Sequence, residues 1–312
     1  MNRRQLIKTA GIGTLGAYGQ VDSIFAAASD ERIIDIHQHV NFSGRRNPEF
    51  IAHQERMGVS RTVLLPSGSE FSSPSTHGGK SNGLAARVFG TEAAARLATE
   101  FPKSFSYFCN EVPDAENAVS ELEKWLERGA IGIGESKFSL ECDSAPMIRT
   151  YEVAKAYAVP VLLHFQYNMY NLGFERFGKV LERFPDVNFI GHAQTWWGNI
   201  DAKHEQKALY PTGPVTPGGL TDRYLADYPN MFGDLSAGSG KNAINRDEEH
   251  AVAFFLRHQD KLMLGTDCSD ATGEGEKCSG SQQIANVRRL VPDAAVRRKL
   301  FSENAIRILK LP

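Results

Sequence analysis

The residues with the most chemical potential are His37 and His39, which close the run Ile33-Ile34-Asp35-Ile36-His37-Gln38-His39. In a strand, residues two apart project to the same face, so both imidazoles point together, about 6–7 Å apart along the backbone. Neutral imidazole is the commonest metal ligand. Later apolar runs close in the same kind of residue: Glu135 (with Lys137), His164, His192 and Asp267. Apart from Lys137 these are nitrogen and oxygen donors suited to a divalent cation. Each has a plainer reading alone: a surface or core histidine, a Glu135–Lys137 ion pair, or Asp267 capping a turn. Their recurrence at five strand ends favours one metal centre.

The elements that must position these residues follow from the apolar pattern. Strands are expected over 32–37, 61–65, 104–109, 130–137, 159–165, 187–192, 230–235 and 261–265. Helical patterns lie between them at 48–57, 84–100, 115–128, 145–158, 174–184, 220–227 and 247–258, with two more at 282–290 and 293–309. Eight strand-then-helix units read as an α/β protein, a single-domain (β/α)8 TIM barrel. In that fold, function collects at the C-terminal ends of the strands, where the residues above stand. A doubly wound nucleotide-binding sheet would need a glycine-rich turn after the first strand, and the sequence has none there.

Candidates for the substrate pocket lie just past the strand ends: Ser67, Ser69, Asn110, Lys137, Gln166, Tyr167, Trp196, Trp197 and Ser236. Lys137 would bind a substrate carboxylate or neutralise Glu135. The two tryptophans would stack on a planar ring or plug the barrel rim. The segment from Ser236 to Gly240 reads as a loop shaping the site floor, with Arg246 and Asp247 a structural pair. His53, His77, His204, His250 and His258 fall in helices or loops and are expected at the surface.

Bulk properties narrow the partners. The chain has 312 residues, 41% apolar and 23% charged, ordinary for a soluble globular protein. A formal net charge of −2 and the lack of a polybasic stretch argue against nucleic acid. No run of 18 apolar residues is present to span a membrane. Residues 1–28 read as a twin-arginine signal peptide: Arg3-Arg4 precedes Leu6-Ile7, a mild Gly/Ala-rich stretch follows, and Ala26-Ala27-Ala28 offers a cleavage site. This makes the export machinery a partner, places the protein in the periplasm or outside the cell, and leaves residues 29–312 as the working domain. The four cysteines, Cys109, Cys142, Cys268 and Cys278, are too few for a disulfide framework. Buried free thiols are expected, with a Cys268–Cys278 bridge as the alternative after export.

The stretches Ile34-Asp35-Ile36-His37-Gln38-His39, Val161-Leu162-Leu163-His164, Phe189-Ile190-Gly191-His192, Leu264-Gly265-Thr266-Asp267 and Glu303-Asn304-Ala305-Ile306-Arg307-Ile308-Leu309 resemble the amidohydrolase superfamily. The likeness is to its amidohydrolase 2 branch, related to aminocarboxymuconate-semialdehyde decarboxylase, and covers residues 32–311. It implies that His37, His39, His164 and Asp267 bind a divalent metal, usually Zn²⁺, with His192 beside them for proton transfer. Glu135 stands where related branches place a carboxylate bridging two ions, whereas decarboxylase-like members carry one. One ion is the expectation and two the alternative. The implied chemistry is hydrolysis of a small ester, lactone, amide or carboxylate substrate by a metal-activated water. Asp267 would move the proton and His192 would hydrogen-bond the oxygen that gains charge. Decarboxylation of a small unsaturated or aromatic carboxylate is the rival within enzymes, and a non-catalytic exported binding protein the rival outside them. A homodimer is compatible with all three.

Overall fold

Runs of Ile, Val and Leu without polar alternation become parallel strands buried on both faces. The computed structural model describes residues 31–68 and 88–312; the expected export signal, Ser69 and His77 lie outside them. Among the described residues eight strands follow in order: β1 (Ile34–Gln38), β2 (Arg61–Leu64), β3 (Phe105–Tyr107), β4 (Ile133–Ser136), β5 (Val161–His164), β6 (Phe189–His192), β7 (Met231–Asp234) and β8 (Leu262–Met263). β1-β2-β3 form one parallel ladder and β4 through β8 another. Backbone hydrogen bonds join the ladders at both seams. Cys109 N donates to Gly132 O (2.9 Å) and Gly134 N to Cys109 O (2.8 Å), while Ile36 N donates to Leu264 O (3.0 Å) and Asp267 N to His37 O (2.9 Å). The result is a closed (β/α)8 barrel in one domain.

The helices around it are α1 (Asn47–Arg56), α2 (Thr91–Glu100), α3 (Ala118–Glu127), α4 (Ala145–Tyr157), α5 (Phe177–Arg183), α6 (Ala193–Gly198), α7 (Leu220–Asp227), α8 (Ala237–Asn245), α9 (Glu248–Arg257), α10 (Ser279–Leu290), α11 (Ala294–Arg298) and α12 (Asn304–Leu309). One apolar cluster contains Ile34, Ile36, Val63, Leu162, Ile190, Phe232 and Met263 with Ile308 and Leu309 of α12; a larger one packs the strands against the other helices. The β1–β2 register shifts between Asp35 and Gln38. That bulge re-aims the residues after it, so His37 and His39 face the site although Ile34 and Ile36 precede them on the core-facing side.

Several expectations are corrected. Of the helix expected over 84–100, residues 84–87 lie outside the described residues and the described part starts at Thr91, because Gly90 is extended and Phe89 N pairs with Val40 O at 2.9 Å. Phe89 is consequently exposed rather than part of an apolar face. The expected floor loop at Ser236–Gly240 is instead the start of α8, whose small residues pack closely. Arg246 pairs with Asp201 (3.5 Å), while Asp247 caps α9 by accepting from His250 N (3.1 Å). His53, His250 and His258 are buried rather than at the surface, and His258 Nε2 lies 2.5 Å from Asp222 Oδ1.

Candidate metal centre

Each imidazole at the barrel mouth is fixed by the partner of its outer nitrogen. His39 Nδ1 donates to Leu65 O (2.7 Å), and His37 Nδ1 donates to Asp234 Oδ2 (2.6 Å). Both therefore offer the Nε2 lone pair inward, and these two atoms lie 3.3 Å apart. The Ser236 hydroxyl donates to Asp234 Oδ2 (2.7 Å), so its oxygen accepts from His192 Nδ1–H (2.8 Å). His192 Nε2 is left as an inward lone pair, buried and with no hydrogen-bond partner among the described residues. Asp267 Oδ1 is likewise unpartnered, 3.2 Å from His39 Nε2 and 3.8 Å from His37 Nε2. Asp35 holds the frame behind them, accepting from His37 N (3.1 Å), Thr266 N (2.9 Å) and Thr266 Oγ1 (2.5 Å).

Glu135 divides its carboxylate between two groups. Oε2 lies 3.8 Å from His37 Nε2 and 3.7 Å from His39 Nε2; Oε1 lies 2.5 Å from His164 Nδ1 and 3.6 Å from His192 Nε2. Metal–nitrogen and metal–oxygen bonds of about 2.0–2.2 Å in tetrahedral geometry put donor atoms about 3.3–3.6 Å apart. The His37–His39–Asp267 atoms meet that spacing closely, and His37, Glu135 and His192 form a second converging group. The orphaned His192 nitrogen and Asp267 oxygen fit donors awaiting a cation. His164 stands one step back. Its Nδ1 faces Glu135, and its Nε2 meets Gln166 Oε1 at 3.0 Å, so neither nitrogen joins those groups in this arrangement.

The electrostatics point the same way. Burial works against ionising Glu135, but the Lys137 ammonium and the His164 imidazole outweigh it and hold the carboxyl well below the usual range. Desolvation opposes ionising the half-buried Asp267 as well, but facing His37 and His39 it is lowered to about 2. Burial, followed by the neighbouring His37, depresses His192 well below the usual imidazole value. Burial and Lys137 also lower His164. Burial opposes charge on His37 as well, yet Asp267 and Asp234 raise it well above that value. Two carboxylates held anionic thus face the lowered His164 and His192, and the upward pull on His37 marks negative potential that a cation would relieve.

The amidohydrolase family model Amidohydro_2 matches residues 34–311. The chain belongs to this family. No curated protein sequence matches it. Among solved structures, a 2,6-dihydroxybenzoate decarboxylase complexed with 2,6-dihydroxybenzoate is 13% identical, with a TM-score of 0.57 over 90% of this chain and 100% of that one. A 5-carboxyvanillate decarboxylase from Novosphingobium aromaticivorans complexed with manganese is 13% identical, with a TM-score of 0.53 over 84% of this chain and 79% of its own. A probable 2-pyrone-4,6-dicarboxylic acid hydrolase from Acinetobacter baumannii, with citric acid bound, is 12% identical, with a TM-score of 0.56 over 90% and 100%.

In this amidohydrolase the expected pocket residues divide. Gln166 and Tyr167 line a cleft of about 430 Å³ with Asn171, Phe174 and Thr195. Lys137 sits over the Tyr170 ring, 5.6 Å from its centroid, close enough to act on Glu135. Ser236 is corrected from substrate contact to brace: it is fully buried, its hydroxyl committed to Asp234 and His192. Trp196 and Trp197 are buried as well, in the core that packs the strands against the helices, so neither ring is exposed for stacking. Trp196 fills the space that Gly191 and Gly233 leave open, and Trp197 Nε1 donates to Asp234 O (3.1 Å). Asn110 braces Glu135 by donating to its backbone carbonyl (2.6 Å). Asp234, the partner of both His37 and Ser236, is the functional residue sequence reasoning missed. Its place at the end of β7 is the same signal that marked the others.

Proposed function

We propose that this amidohydrolase is a metal-dependent hydrolase of a small ester, lactone or amide, including carboxylate-bearing substrates. The observation that carries the reading is the split carboxylate of Glu135, one oxygen toward His37 and His39 and the other toward His164 and His192. A first divalent cation, Zn²⁺ foremost, would be held by His37, His39, Asp267 and Glu135 Oε2. The other Glu135 oxygen, with His192 and a re-aimed His164, offers a place for a second. Such an ion supplies Lewis-acid activation of water and of the substrate carbonyl.

This chain's residues do the rest. Asp267, with Oδ1 turned to His37 and His39, takes the proton of the attacking water through Oδ2 and returns it to the leaving group. His192 enters as a proton acceptor or ligand through Nε2; with its Nδ1 hydrogen given to Ser236, it does not donate to the developing oxyanion. Lys137 anchors a substrate carboxylate, and Gln166 turns from His164 toward substrate.

A panel of lactones, esters and amides assayed with the metal-loaded enzyme tests this, beside Asp267→Asn. The substitution should lower kcat by about 10²–10⁴-fold while His37 and His39 keep part of the metal. Unchanged turnover would remove Asp267 from proton transfer. Decarboxylation of an aromatic carboxylate is the second reading, favoured by the likeness to the two decarboxylases. Release of CO₂ without uptake of ¹⁸O from labelled water would select it. Export by the twin-arginine route is part of the proposal and rests on Arg3-Arg4. Replacing both by lysine should strand the precursor in the cytoplasm, and undiminished export would refute that route.

A further inference from the structure

One residue beyond Asp267 the chain enters a second cluster of metal-binding atoms that the proposed hydrolysis does not use. His53 of α1, Cys268 after β8 and Cys278 at the N-cap of α10 are all buried, and their donor atoms lie within 4.8 Å of one another. Cys268 Sγ and Cys278 Sγ are 3.7 Å apart, Cys278 Sγ and His53 Nε2 3.5 Å, and Cys278 Sγ and Met57 Sδ 3.8 Å. A disulfide would require about 2.05 Å between the sulfurs. A tetrahedral ion with bonds of about 2.3 Å to sulfur and 2.0–2.1 Å to nitrogen puts its ligand atoms about 3.8 Å (S···S) and 3.6 Å (S···N) apart. The three separations from Cys278 Sγ match three edges of that tetrahedron.

We propose that His53, Cys268 and Cys278 form a second, sulfur-rich site for a thiophilic d¹⁰ cation, Zn²⁺ or Cu⁺, with the Met57 thioether beside it as the fourth donor. Thiolate and thioether donors select such ions, whereas the histidine–carboxylate centre suits harder ones. The surroundings fit a ligated site. Ser281 N donates to Cys278 Sγ (3.3 Å), and the buried Arg45, which interacts electrostatically with both cysteines, donates to Cys268 O (2.9 Å) and would offset the charge of ligating thiolates. Gln54 lies 3.3 Å from His53 Nδ1 and is also bonded to Thr62 Oγ1. Turning its amide over presents Oε1 to the Nδ1–H that a metal on Nε2 requires, and leaves Nε2 to donate to Thr62. With every donor on protein and buried, the site is closed and structural. It pins the 268–278 connection to α1 directly behind Asp267.

Loading the purified enzyme with Co²⁺ tests the assignment through absorption. Sulfur-to-cobalt charge-transfer bands should appear in the near ultraviolet, persist in Asp267→Asn and vanish in Cys278→Ser. A parallel arm offers Cu⁺ against a colorimetric chelator, so that retention of one copper per chain, dependent on Cys278, identifies the monovalent ion instead. Should Cys278→Ser fail to fold, wild type alone decides, since the histidine–carboxylate centre has no sulfur to give such bands. Thiols are also titrated in denaturant without reductant. Absence of both the cobalt bands and copper retention, with all four cysteines reacting, would overturn the proposal in favour of a thiol cluster. Two unreactive cysteines would overturn it in favour of a disulfide.

Discussion

At the scale of single residues, the centre depends on fully buried groups behind the imidazoles. Asp234 fixes the His37 ring through Nδ1 and, through Ser236, sets the proton on His192. Removing a partner of this kind costs about 10–100-fold in metal affinity. Asp234→Asn should therefore weaken divalent binding by that order in a chelator competition while circular dichroism stays native; unchanged affinity would show that His37 holds its orientation without the carboxylate. The residues of the candidate centre were legible because each ends an apolar run, where a polar residue is conspicuous. Asp234 ends such a run too, but a lone aspartate there names no chemistry until its neighbours are known. His53 was hidden for another reason: one histidine on an amphipathic helix does not say which face is buried, and its partners lie more than 200 residues away.

Among elements, close contacts decide what the strand ends can present. Gly265, between β8 and Asp267, has no room for a side chain: a Cβ there would collide with Asp234 Oδ1 and crowd His37. Gly265→Ala should destabilise the fold by about 1–3 kcal/mol, the usual cost of overpacking, and weaken metal binding with it. Urea unfolding and metal titration on one preparation would check the pairing, since loss of stability alone would mean that Asp234 yields without disturbing His37. The same steric logic explains the tryptophans. Residue type marked them as ring-stacking candidates, but Gly191 and Gly233 open a slot for Trp196 inside the protein. Pairwise packing of that kind leaves no periodic trace. The strands did leave one, because parallel strands buried on two faces read as continuous apolar runs, while α6, only six residues with two tryptophans, and α8, nine mostly small residues, did not read as helices.

Over the whole molecule, stability has a pH dependence separate from the site. Asp222 on α7 meets His258 Nε2 (2.5 Å) and accepts two hydrogen bonds from Arg257, each 3.0 Å, tying α7 to α9. Burial opposes its ionisation, but His258 and Arg257 prevail and hold the carboxyl below the ordinary aspartate value. Because the folded pKa is lowered, this contribution is complete above the unfolded value and is lost as pH falls through the folded one. Asp222→Asn should lower Tm at neutral pH and flatten its decline on acidification. A parallel offset at every pH would assign the acid sensitivity elsewhere.

The β1–β8 seam also has a consequence for timing. His37 and Asp267 come together only where the first strand meets the last, and Asp35 and Thr266 across that seam are 231 residues apart in sequence. Bringing such distant segments together is entropically costly and comes late. A nascent chain still lacking β8 would carry only part of the candidate centre, with His37 apart from Asp267. Cation uptake during synthesis would therefore report the moment at which the ring closes.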